Sequence, residues 1–235
     1  MGGIVKIILE AIVGSHAYGL NDVNSDIDKA GIFVVKTNEV LSVRKPKETI
    51  CKTNPDISYH EVEKFIRLAM VCNPTILELL FLDSYEILTQ EAEWLIQIRK
   101  AFLSNAIFNS YGGYAIQQAR RLNNKAYKIS DVVIDELPNI GISFNADTNN
   151  RPAKHARHCF RLLQQGRELL ETGNLTVKVK NREELLSFGK FTIDELVCKF
   201  EEEYQKFRTV KSILLQKPDY ETINSVLLKI RSLNV

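Results

Sequence analysis

Little in this chain invites a redox or zinc reading. Its 235 residues hold four cysteines: Cys51, Cys72, Cys159 and Cys198. No two form a C-x-x-C pair, and none stands at the neighbour spacing of a zinc site. They read as scattered, mostly buried thiols of a reducing compartment. The four histidines, His16, His60, His155 and His158, are too few and too dispersed for a histidine-rich hydrolase centre. Formal net charge is only +2, so a polyanion site must come from local clustering. No apolar run reaches the roughly 20 residues that a membrane helix needs. The apolar start, residues 4–13, is interrupted by Lys6 and Glu10 and lacks a small-residue cleavage site. Lys6 also stands where an N-myristoylation signal carries Ser or Thr. A cytoplasmic protein is expected. Internal repeats and a Pro/Gly-rich linker are absent as well.

What is present is an ordinary globular composition. Hydrophobic residues make up 45% and charged residues 26%, which excludes a disordered chain or a fibre. The length suits one large domain or a small domain pair. Residues 4–13 are β-branched and apolar, as in a buried strand or a short helix. Gly14-Ser15 ends that run, and a polar connection leads to residues 27–35, which read as a strand. Residues 38–44 are expected to continue it as a hairpin partner. Residues 56–60 alternate polar and apolar, as a half-buried strand does. Helical spacing then begins, with Val62, Phe65, Ile66 and Ala69 on one face. Asn73-Pro74 interrupts it, and Pro74 fits a first helical turn.

Further helices are expected over residues 91–108, 111–127, 153–172 and 193–215, followed by a short tail helix. Residues 141–150 read as a loop, Gly173-Asn174 as a helix stop and residues 175–179 as a short strand. The fold class is therefore α+β. A small mixed-sheet domain, residues 1–88, precedes a mostly helical domain, residues 89–235. With no linker between them, the two should pack together and leave a cleft, the natural place for a ligand.

The chemistry concentrates in residues 14–28. If Ile27 starts a strand, Asp26 and Asp28 point to one face on either side of a buried residue. Two such carboxylates repel unless a cation sits between them, and a hard divalent ion suits oxygen ligands. Upstream, Gly14 lets backbone N–H groups approach a phosphate, and Ser15 adds a hydroxyl donor. A D-x-D alone more often marks a solvated turn, and a lone G-S is weaker still. The order is more telling: apolar strand, G-S, short polar connection, Ser25-Asp26-Ile27-Asp28, apolar strand.

That order resembles the DNA polymerase β-like nucleotidyltransferase superfamily, whose signature is an apolar residue, Gly-Ser or Gly-Gly, then an apolar-flanked D-x-D. The surrounding text is similar to its RNA repair-associated branch, found in bacteria and phages. The resembling segments are residues 14–19, 56–65, 73–80, 110–115 and 154–158, in the same order. The resemblance implies a palm-like catalytic domain binding Mg²⁺ or Mn²⁺ and a nucleoside triphosphate such as ATP. It implies transfer of a nucleoside monophosphate to an acceptor hydroxyl, an RNA end by analogy, with release of pyrophosphate. It also implies a third carboxylate on a neighbouring strand, Asp56. A second ion would need such an extra anionic ligand, and Glu61 and Glu63 are rivals for the place. Asp26, Asp28 and Asp56 are thus the expected catalytic and metal residues. Gly14, Ser15 and Ser25 are expected on the nucleotide side.

His16 and Tyr18 either contact the nucleotide or orient and pack the loop. Glu78, on an apolar helix, reads as a buried partner of a basic residue. Arg120, Arg121, Lys125 and Lys128 form one basic cluster. Another lies on a helix, where Lys154, Arg157, His158 and Arg161 share a face. Lys154 and Arg157 are expected to meet the triphosphate or an RNA backbone, against the plainer reading of a solvated basic surface. Tyr111, Tyr114 and Tyr127 either stack on a base or pack in the core. Two other functions stay open: transfer of AMP to a protein partner, and a catalytically silent nucleotide or RNA sensor.

Overall fold

The computed structural model describes residues 5–53, 56–122 and 151–234. Five strands form one mixed sheet: β1 (Lys6–Val13), β2 (Asp28–Val34), β3 (Thr49–Thr53), β4 (Asp56–Glu61) and β5 (Ile87–Leu88). Their order across the sheet is β3-β4-β2-β1-β5. β1 and β2 are antiparallel, and so are β3 and β4, whereas β2 and β4 run parallel. Alternation sorts the side chains. Ala30, Ile32 and Val34 face the main core, while Phe33, Val35, Ile57 and Tyr59 form a smaller cluster on the opposite face. Glu10, which interrupts the first apolar run, bonds Tyr59 and Lys29 there.

Ten helices accompany the sheet among the described residues. The front ones are α1 (Gly14–Tyr18), α2 (Thr37–Leu41), α3 (Val62–Met70), α4 (Pro74–Leu80) and α5 (Gln90–Gln97). Then come α6 (Ala106–Leu122), α7 (Arg151–Thr172), α8 (Arg182–Ser187), α9 (Ile193–Arg208) and α10 (Tyr220–Leu233). The buried face of α3 is the one its spacing predicts: Val62, Phe65, Ile66 and Ala69. Asn73 caps α4 by accepting from the Ile76 N–H, with Pro74 in the first turn. Gly173 ends α7 in the left-handed region at φ +64°. The helices α6, α7 and α9 crowd at Gly166, where a Cβ would lie 2.7 Å from the Phe207 ring and 3.0 Å from Tyr111 Cβ.

Several expectations are corrected. Residues 38–44 form no hairpin strand; α2 lies there, and β2 pairs instead with β1 and β4. The helix expected over residues 91–108 stops at Gln97, and a 3₁₀ turn, Arg99–Phe102, follows. Segments from far along the chain hold this break open. Asp219 N–H donates to the Ala101 carbonyl and Asn105 N–H to the Leu215 carbonyl, both at 2.9 Å. Residues 175–179 are not a strand, although Leu175 and Val177 alternate into the core. Two of the four thiols, Cys51 and Cys198, are exposed. The loop expected at residues 141–150 lies outside the described residues, as do Tyr127, Lys125 and Lys128.

One cluster of buried side chains runs from Ile8 on β1 through Leu77 on α4, Tyr111 on α6 and Leu163 on α7 to Ile230 on α10. The tail helix returns to the sheet, where Arg231 forms a two-pronged ion pair with Glu61 at 2.7 and 2.9 Å.

Candidate active site

The site forms where β1 hands over to β2. Val13 pairs with Asp28, so the first residue after β1 lies beside the first residue of β2. That residue is Gly14, at φ +67°. A Cβ on it would lie 2.5 Å from Asp28 Oδ2. The left-handed φ favours glycine here, and any Cβ would have to push the Asp28 carboxylate aside. The Gly-Ser pair and the second aspartate of the D-x-D, separate in sequence, share one corner of the sheet.

β4 adds the third carboxylate. In the parallel pair Lys29 lies opposite Ile57, which places Asp56 level with Asp28 and on the same face. The rivals are placed elsewhere: Glu61 is buried against Arg231, and Glu63 lies at 3.6 Å from the same guanidinium. The geometry at Asp26 differs from expectation. β2 begins at Asp28, and Ile27 is 50% exposed rather than buried. Asp26 thus sits in the connection, exposed, and its position relative to Asp28 is set by the loop and not by strand alternation.

The electrostatics tie these groups together. Burial pushes the Asp28 carboxyl above its ordinary range, and the charges of Asp56 and Asp26 push it further. Lys154 and His16 pull it back. Like charges gathered this way favour a cation among them. Among the described residues, no three His, Cys, Asp or Glu side chains already stand as a preformed metal cage.

A folded loop connects Gly14 to Asp28. His16 Nε2 lies 3.2 Å from the Ser25 carbonyl and bridges the loop. The Ser25 hydroxyl is engaged within the same turn, 2.9 Å from the Asp22 N–H and 3.2 Å from Asp22 Oδ1. Ser15 accepts the Leu20 N–H at 2.9 Å through its carbonyl. Tyr18 finds its partners inside the protein: its hydroxyl donates to Glu78 at 2.7 Å. Glu78 is a buried partner of a basic residue, as its apolar helix suggests, and that residue is Arg161.

The basic face of α7 splits in two. Lys154 is exposed and acts on Asp28, and half-buried Arg157 feels the charge of Asp22. Arg161 and His158 are corrected from this face: Arg161 is 3% exposed, and burial with neighbouring cations pushes the His158 imidazole down to about 3, so it is neutral. Of the tyrosines, Tyr111 is fully buried and Tyr114 accepts from Asn73 at 3.0 Å. Sequence reasoning missed Arg182, whose Nε donates to the Gly19 carbonyl at 2.7 Å across 163 residues. Nothing local in the sequence marks that contact.

A five-stranded mixed sheet with this carboxylate corner, backed by helices, is a nucleotidyltransferase-like domain with a helical part. The chain belongs to the RNA repair pathway DNA polymerase beta family, whose sequence profile matches residues 3–228. No curated protein and no solved structure matches it significantly. Among the described residues no helix is long and apolar enough to cross a membrane.

Proposed function

We propose that this protein transfers a nucleoside monophosphate from a nucleoside triphosphate to an acceptor hydroxyl, with pyrophosphate as the leaving group. The observation that carries the reading is Asp28. It stands at the Gly14 turn, level with Asp56, and its carboxyl is pushed above its ordinary range by burial first and by Asp56 and Asp26 next. On this reading Asp26, Asp28 and Asp56 would hold Mg²⁺ or Mn²⁺, the ion drawing together side chains that do not stand as a cage without it. The ions would supply charge neutralisation and activation of the acceptor hydroxyl.

The chain's own residues do the rest. The turn at Gly14-Ser15 offers backbone N–H groups and a hydroxyl to the β and γ phosphates. Lys154 and Arg157, reaching over from α7, neutralise charge on the same group. His16 and the Ser25 turn hold the loop that carries Asp26. Catalysis here is positioning plus electrostatics, as phosphoryl transfer demands. Family membership favours an RNA end as the acceptor.

The test is incubation of wild-type protein and Asp26→Asn with each labelled triphosphate, Mg²⁺ or Mn²⁺, and RNA or lysate. Wild-type protein should label RNA, and Asp26→Asn should lose activity by about 100-fold or more. Equal rates for the two proteins would refute the site. Label on protein would move the acceptor to a protein hydroxyl. Triphosphate binding without pyrophosphate release would mark a sensor.

A further inference from the structure

A buried polar ring ties the Gly14 turn to the helical half, and the chemistry above makes no use of it. Tyr18 ends α1 and donates its hydroxyl to Glu78 Oε2 on α4 at 2.7 Å. The guanidinium carbon of Arg161 on α7 lies 3.6 Å from the centre of the Tyr18 ring, and the same group pairs with Glu78 Oε1. Arg161 also donates to Gln165 Oε1 at 2.7 Å. Gln165 in turn donates to the carbonyls of Thr176 and Val177, at 3.2 and 3.4 Å. From that segment the Val179 N–H returns to the Tyr18 carbonyl at 3.1 Å. The ring is closed, and it begins and ends on Tyr18.

Both side chains of the ion pair are 3% exposed. A pair so buried is a poor stabiliser, because desolvation offsets its Coulomb attraction. Apolar side chains of similar volume would serve packing as well. What they would not supply is direction. Arg161 fixes the Tyr18 ring through its face, and Glu78 fixes its hydroxyl. Tyr18 is joined to the site by a stiff turn, in which Gly19 and Leu20 N–H groups donate to the carbonyls of His16 and Ser15. At the other end of that turn stands Gly14, against Asp28. Arg161 lies on α7 with Lys154, so one helix both sets the turn and delivers the cation.

We propose that Glu78 and Arg161 are positioning residues that act through Tyr18 to fix the Gly14–Tyr18 turn against Asp28 and α7. The mechanical part stands on the contacts alone. Its catalytic consequence rests on the nucleotidyl-transfer reading.

The test combines Glu78→Leu with Arg161→Met in the full chain and reads amide hydrogen exchange, melting temperature and steady-state kinetics. The double variant should stay folded, with Gly19 and Leu20 amides exchanging about tenfold faster or more. Its kcat should fall by about 100-fold, with a smaller change in KM for the triphosphate. A folded double variant with wild-type exchange at these amides overturns the proposal. Tyr18→Leu, which removes both the hydroxyl held by Glu78 and the ring face held by Arg161 and leaves the ion pair, decides the same question should the double variant not fold. Faster exchange at Gly19 and Leu20 supports the proposal, and unchanged exchange overturns it. If wild-type protein transfers no nucleotide to any acceptor, the proposed function falls, while the exchange result still decides whether the pair holds the turn.

Discussion

Asp28 sits between the Gly14 backbone and two other carboxylates, and its acid is weakened by burial first and by Asp56 and Asp26 next. An acid whose folded pKa exceeds its unfolded value binds more protons in the native state. Its contribution to stability is fully present below the unfolded value and is lost as pH rises through the folded one. Without divalent ions, Asp28→Asn should therefore melt above wild type at neutral pH, and the gap should close in acid. Thermal melts across that range check this, and a lower melting temperature for Asp28→Asn at neutral pH would remove the like-charge strain from the account. Adding Mg²⁺ should raise the wild-type melting temperature and leave the variant nearly unmoved. The residues behind this prediction were readable in sequence because they lie close along the chain. Gly14-Ser15 and Asp26-Ile27-Asp28 fall within fifteen positions, on one strand-loop-strand unit. Glu78 could be read as half of a pair, but its partner is 83 residues away and no periodicity points to Arg161. Arg182 was unreadable for the same reason.

Elements with a strong period declared themselves: β2, β4, α3 and α7 lie close to where their patterns place them, whereas residues 4–13 also allowed a short helix and α9 stops at Arg208, short of the expected residue 215. Short elements did not, because tertiary contacts decide them. Residues 175–179 alternate like a strand, yet their backbone groups are met by the Gln165 side chain and the Tyr18 carbonyl instead of a ladder. The tail helix α10 gives this scale its prediction. Arg231 and Glu61 pair at side-chain exposures of 10% and 6%, and Thr37 adds bonds to the Arg231 and Asn234 carbonyls at 2.6 and 2.7 Å. Arg231→Ala would strand the Glu61 carboxylate in the interior, at about 3–5 kcal/mol. Urea unfolding measures that loss, and a loss near zero would mean that water reaches Glu61. Replacing both partners, Glu61→Leu with Arg231→Met, should recover most of it. A shortfall of about 1 kcal/mol should remain, because Glu61 also caps α3 by accepting the Glu63 N–H.

In the proposed site Asp28 and Asp56 come from the sheet, Asp26 from the loop before β2 and the cations from α7, so its geometry is only as firm as the joint between sheet and helix. That joint is a shared core. Ile8, Leu77, Tyr111, Leu163 and Ile230 belong to one buried cluster, and α10 closes it by returning to α3 and α5. A chain with two separate cores would unfold in two steps, whereas one continuous core unfolds as a unit. The single tryptophan, Trp94, is well placed to tell these apart. It lies on α5 at the change from sheet to helices, and Lys229 Nζ of α10 sits 3.5 Å from its ring centre. Trp94 fluorescence and far-ultraviolet circular dichroism should therefore give superimposable urea transitions with one midpoint. Fluorescence that changes before helicity is lost would show the sheet half detaching first. A ligand that bridges Asp28 and Lys154 should move the whole transition upward together, by RT ln(1 + [L]/Kd) for a single site. Mg²⁺ with a non-hydrolysable triphosphate makes the measurement. A shift confined to one probe would place the ligand on one half alone.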